Sequence, residues 1–165
     1  MKLLIGVDTR EALLGRRAFA GFTLMEMMLA VVIGGIVLAM GTASYTRYVQ
    51  TAKIASATSD LLKIKSLIDR YRLNNNDAVP LSLATINAAD ILDPWGNPYE
   101  FLNFSTVHGN GQKRKDHNLV PINSQFDLYS KGADGQSVGP LTAAKSRDDV
   151  IIANDGAYVG LASNY

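Results

Sequence analysis

Between Phe22 and Thr46 the chain carries a single charged side chain, Glu26, and the next charge is Arg47. As a helix rising about 1.5 Å per residue, this run is long enough to cross a bilayer core of roughly 30 Å. It lacks the one-sided pattern of a helix in an aqueous domain. A carboxylate five residues into such a run is heavily penalised unless it finds a partner, so Glu26 marks a function by default.

Upstream lie residues 1–21, with Lys2, Arg10, Arg16 and Arg17. An ordinary secretory signal peptide places its apolar region before the cleavage site and loses it on processing. Here charged and mixed residues precede Gly21 and the apolar run follows it, so a cut between Gly21 and Phe22 would keep that run in the mature protein. The basic leader favours an orientation with the N-terminus inside, leaving residues beyond about 47 on the far side of the membrane.

The full chain of 165 residues has room for one compact domain plus one extended element. Four of its 16 Lys/Arg and two of its 15 Asp/Glu lie in residues 1–21, so residues 22–165 hold 12 and 13 and a formal charge of −1. That balance does not select nucleic acid as a partner. Cysteine is absent, so a small exported domain would need some clamp other than a disulfide.

Beyond the apolar run, Ile54, Ala57, Leu61, Ile64, Ile68 and Tyr71 recur every three or four residues with charged residues between them. This is the period of a helix with one buried stripe. One helix is expected from Phe22 to about Leu73, stopped by Asn74-Asn75-Asn76-Asp77 and Pro80. Ala84–Leu92 admits a helical turn or two. Two prolines, a Gly and an Asn in Asp93–Tyr99 force a tight turn before an expected strand over Tyr99–Phe104. Gln125–Ser130 alternates, with Phe126 and Leu128 on one face and Asp127 and Tyr129 on the other, the pattern of a half-buried strand. From Gly132 the chain is Gly-, Asp- and Ser-rich apart from Val150-Ile151-Ile152. The expected fold class is α+β, a long N-terminal α-helix with a transmembrane and an amphipathic half, packed on a small antiparallel β-sheet with a loop-rich C-terminus.

Catalytic patterns are not legible. No Ser/His/Asp set or paired carboxylates can be picked out, and His108-Gly109-Asn110-Gly111 lacks the Lys-Ser/Thr pair of a phosphate loop. His108 and His117 have no metal-ligand spacing. Lys113-Arg114-Lys115 reads as a solvated loop, and Trp95 as a packing residue beside its prolines.

A basic leader, Gly21, then Phe22-Thr23-Leu24-Met25-Glu26 heading an apolar stem resembles the signature of the type IV pilin superfamily. That resemblance implies cleavage after Gly21 by a prepilin peptidase and N-methylation of Phe22, both done to this chain, which is not itself expected to be an enzyme. It also implies that Glu26 neutralises the positive N-terminus of a neighbouring subunit in a filament. Two opposite charges at contact distance attract strongly in a low-dielectric core where either alone is disfavoured. The chain departs from many members in placing Ala18-Phe19-Ala20 between Arg17 and the Gly, in its longer leader, and in having Ala43 where a stem proline is common. Gly34-Gly35 is then where loosening of the stem is expected, at about 1 kcal/mol per Gly; close helix packing is the other reading of these glycines.

Asp93–Tyr99, Phe126–Gly135 and Asp148–Ile151 with Asn154 are similar to motifs of the major pseudopilins of type II secretion systems. In that family these loops enclose calcium, and the resemblance carries the ligand role to Asp134, Asp148 and Asp149 and to the carbonyls of Lys131 and Val150. Calcium favours six to eight oxygens in such a mixture, and a metal clip would suit a domain without cysteine. The loop Gln136–Ser146 is longer than the compact family pattern, and Lys145 and Arg147 lie beside the proposed ligands.

The resulting expectation has three parts, a prepilin leader (1–21), a transmembrane and assembly stem (22–46) and a periplasmic globular domain (47–165) anchored in a bacterial inner membrane. Its partners would be further copies in a helical filament, the prepilin peptidase and methyltransferase, minor pseudopilins and an inner-membrane assembly platform, in a machine for type II-like protein secretion. The rival readings are a surface type IV pilus pilin and a monomeric anchored binding module. Lack of a C-terminal disulfide weighs against the first, and filament formation separates both pilin readings from the second.

Overall fold

The computed structural model describes residues 21–165, and the basic leader up to Ala20 lies outside the described residues. The chain divides into two units, Met1–Thr42 and Ala43–Tyr165. Helix α1 spans Leu24–Asn74. It starts two residues later than the expected Phe22 because Thr23 and Glu26 form a reciprocal cap. Thr23 N donates to Glu26 Oε2 at 3.0 Å and Glu26 N donates to Thr23 Oγ1 at 3.2 Å. This capping box satisfies amides that a helix start leaves without partners. Through Gly34 and Gly35 the helix is continuous in the single chain.

At the other end the Asn/Asp run acts as expected. Asn76 and Asp77 take left-handed φ values of 52° and 64°, which Asn and Asp tolerate better than most residues. Asp77 N donates to Arg72 O at 2.9 Å, and the Asp77 carboxylate holds the Arg72 guanidinium at 2.6 Å. A short 3-10 turn, Leu83–Ile86, is what forms where a helical turn was read.

Four strands follow, β1 (Glu100–Asn103), β2 (Phe126–Ser130), β3 (Val150–Ala153) and β4 (Tyr158–Leu161). They lie in the order β1-β2-β3-β4 and every pair is antiparallel. Ala57, Leu61, Ile64 and Ile68 of α1 are fully buried against Leu128 of β2 and Val150 and Ile152 of β3, with Tyr99, Phe126, Leu83 and Ala88 around them. The amphipathic stripe of the helix thus meets one face of the sheet. Ile151 and Ala153, which alternate with the residues facing the helix, enter a second cluster with Ile122, Leu141 and Ala162. A strand buried on both faces reads as a continuous apolar run, which is what Val150-Ile151-Ile152-Ala153 shows.

The second cluster corrects the half-buried strand pattern read for β2. Asp127 is only 1% exposed, and Tyr129 packs against the second cluster. Long connections before and after β2 cover this face. The Asp93–Tyr99 turn is tied down by Asp93, whose Oδ1 accepts from Trp95 N and Asn97 N and whose Oδ2 accepts from Ser130 Oγ at 2.6 Å. Three donors satisfy a carboxylate that is 4% exposed. Trp95 packs partly buried against the core, as expected of it.

Candidate functional site

Two places carry the residues that sequence reading singled out, one in each unit. In the first, a Cβ added to Gly21 would meet nothing within 4 Å, and Phe22 is exposed. The bond between them is open on the single chain. Glu26 Oε2 also accepts from Thr23 Oγ1 at 3.0 Å, so the carboxylate has a local partner before any neighbour arrives. The role of Thr23 was missed, although Thr-x-x-Glu before an apolar run is a legible capping signal. Beyond it Leu24, Met25, Val31, Val32, Ile36, Val37, Leu38 and Met40 all stand exposed. This helix is long and apolar enough to cross a membrane, with none of the apolar window buried inside the chain.

The second place lies between the loops on the far face of the sheet. Arg114, read as part of a solvated basic loop, is instead 2% exposed. Its guanidinium donates to Asp149 Oδ2 and to Ser137 Oγ through short contacts, and to the carbonyl of Val138 at 2.7 Å. It lies 4.3 Å from the centre of the Tyr129 ring. Arg114 N donates to Asp127 Oδ2 at 2.7 Å, and Asn123 Nδ2 donates to the other oxygen at 3.0 Å. Ser137 Oγ adds a bond of 2.7 Å to Asp149 Oδ2. Burial pushes the Asp149 carboxyl up to about 6, against the pull of the Arg114 guanidinium. It also raises the Asp127 carboxyl, against the donors from Arg114 and Asn123. Lys113 takes another course and lies over the Phe104 ring at 4.6 Å.

The five residues assigned to calcium by resemblance are only partly brought together. Asp134 N donates to Asp148 Oδ2 at 3.0 Å, and Asp134 Oδ1 accepts from Gln136 N at 2.7 Å. Asp149 is engaged by Arg114, and its carbonyl accepts from Ala162 N at 2.9 Å. Val150 is paired within the sheet with Ser130 on one side and Leu161 on the other. The Lys131 side chain reaches Glu100 at 2.5 Å. Among the described residues no three His, Asp or Glu side chains are grouped to hold a metal ion. Asp134 and Asp148 thus lie together while Asp149 is turned to Arg114, so the three carboxylates are not gathered at one point. His108 and His117 are likewise in no such group.

The prokaryotic N-terminal methylation motif matches residues 16–42. Type II secretion system core protein G of Pseudomonas aeruginosa is 31% identical over 145 residues, covering 75% of this chain and 90% of that protein. The chain belongs to the type II secretion system core protein G family. Core proteins G of Aeromonas hydrophila and Escherichia coli K12 are 28% and 26% identical, over 88% and 83% of their lengths. No solved structure gives a significant match. As a core protein G chain it has its methylation motif over the start of α1, where the Thr23–Glu26 cap lies, and the relatives' coverage extends well past it. Family membership thus rests on both units.

Proposed function

We propose that this chain is a structural subunit of a pseudopilus filament in a type II-like secretion system, and not an enzyme. A prepilin peptidase removes residues 1–21, Phe22 is methylated, and residues 22–46 anchor the chain in the inner membrane with residues 47–165 in the periplasm. The observation that carries this reading is a helix whose first half is apolar on every side and is left uncovered by the described residues. In lipid that half is solvated. In a filament the same surface packs on the stems of other copies, through close side-chain contact and not through exclusion of water.

Cleavage would create an α-amino group about one helical turn from Glu26. Subunits arriving in a filament bring such amines close to neighbouring Glu26 carboxylates, where the low-dielectric surroundings make a correctly placed pair strongly preferred over two separated charges. Glu26 would then exchange some of its bonding to Thr23 for the neighbour's amine, and the exchange would fix the axial register. An assembly platform and minor pseudopilins would start and drive the stacking.

The test is Glu26→Leu in cells carrying the secretion system. The variant should still lose its leader and insert in the membrane, while filaments detected by cross-linking and electron microscopy fall to background. Filaments at wild-type abundance would reject the register role, and an unprocessed wild-type chain would reject the whole reading.

A further inference from the structure

We infer that Arg114 closes the 131–149 loop from inside the chain, as a built-in cation on Asp149, one of the carboxylates that the family resemblance assigns to calcium. Two connections between strands are tied together by this one side chain. It comes from the segment before β2, and it bonds Ser137 and Val138 of the following loop and Asp149 at the entry to β3. The main chain runs the same way, because Lys115 N donates to Gly139 O and Leu141 N donates to Lys115 O, both at 2.9 Å. Ser146 locks the far side of the loop, its hydroxyl accepting from Val138 N at 3.0 Å and donating to Val138 O at 2.8 Å. A calcium clip does this work by gathering carboxylates and carbonyls from separate segments around one positive centre. Here a guanidinium gathers a carboxylate, a hydroxyl and a carbonyl, and its central carbon lies over the Tyr129 ring.

The charge arithmetic also favours one cation over two. Arg114 and Asp149 are both almost fully buried and form an ion pair. A divalent ion drawn to Asp149 would sit beside a guanidinium that cannot lose its proton, and like charges repel strongly where water is excluded. Among the described residues Asp149 Oδ1 and Arg114 Nε have no hydrogen-bond partner, so the pair is one-pronged. Oδ1 is the oxygen that Asp149 still has free for a metal, since Oδ2 is taken by Arg114 and Ser137. The inference is independent of the filament role, since it concerns how the folded subunit holds its loops.

The experiment uses the full chain in detergent micelles, wild type and variants, melted with excess calcium and with a chelator, with bound calcium counted by atomic emission. The wild type should retain less than about 0.1 calcium per chain and melt within about 1 °C in both conditions, whereas a clip at 100 times its Kd would be worth roughly 10 °C. Arg114→Gln should lower the melting temperature by more than about 5 °C, and adding Asp149→Asn to it should recover part of that loss by removing the stranded charge. One calcium per wild-type chain with a chelator-induced drop of several degrees would overturn the inference. So would an Arg114→Gln chain melting with the wild type. If Arg114→Gln does not fold, the wild-type calcium count and chelator response still decide.

Discussion

The two halves of α1 are equally helical and both rich in apolar residues, yet they treat those residues oppositely. From Leu24 to Met40 the large apolar side chains face outward on all sides, whereas Ala57, Leu61, Ile64 and Ile68 reach zero exposure on a single stripe. The second half found its partner in its own sheet. The first half is left uncovered by the described residues, and under the proposed function lipid or other copies cover it. Apolar content therefore says little about where a helix is satisfied, while its angular distribution says a great deal.

The sharpest way to break this contrast is a matched pair of truncations. Leu61→Ala should cost about 2–5 kcal/mol of stability, measured by urea unfolding in micelles, because it empties a filled core. Val32→Ala should stay within about 0.5 kcal/mol in the same assay, since no core surrounds it. Equal losses would mean that the stem is buried within the chain after all. Next in size is Gly132→Ala. Gly132 has φ +64°, and an added Cβ would lie 2.1 Å from the Asp148 carbonyl oxygen. The backbone must shift, and a loss on the order of 2–3 kcal/mol is expected from the same unfolding assay. A neutral result would show that the loop is loosely held and would weaken the tight closure described for it.

Smaller effects sharpen the comparison from each side. Thr23→Ala should raise amide exchange over residues 24–27 about fivefold, with the melting of the globular part unchanged. On the sheet side the Asp127 carboxyl is raised by burial. A carboxyl whose folded value lies above its unfolded value of about 3.9 contributes fully to stability below that pH, and the contribution is lost as pH rises through the raised value. Asp127→Asn should therefore flatten the fall in melting temperature between acid and neutral pH. An unchanged slope would place the titration elsewhere.

What was legible follows from the same distinction. The length of α1, its stripe and its stop come from local periodicity and from residues tolerant of left-handed backbone, all written within a few positions of one another. β1 and β2 were bounded by turn signals. Tyr158–Leu161 was missed because Tyr-Val-Gly-Leu shows no alternation and follows a Gly- and Asp-rich stretch. Arg114 was misread because its burial depends on Asp149, 35 residues away, and nothing in Lys113-Arg114-Lys115 points inward. Asp127 was assigned to water for a related reason. Its strand does alternate, but loops distant in sequence cover the polar face.

The order of the sheet has a consequence for how the chain acquires its fold. Each strand pairs only with the strands next to it in sequence, so no strand waits for a distant one before it can be used. Loops of roughly twenty residues raise the entropy of closure only slowly with length. Contacts between sequence neighbours are also those that form fastest. A subunit emerging N-terminus first would present the α1 stripe, then add β1, β2, β3 and β4 in turn, each new hairpin closing on a surface already in place. Folding can keep pace with emergence, and no unpaired inner strand is left open to a passing copy of itself.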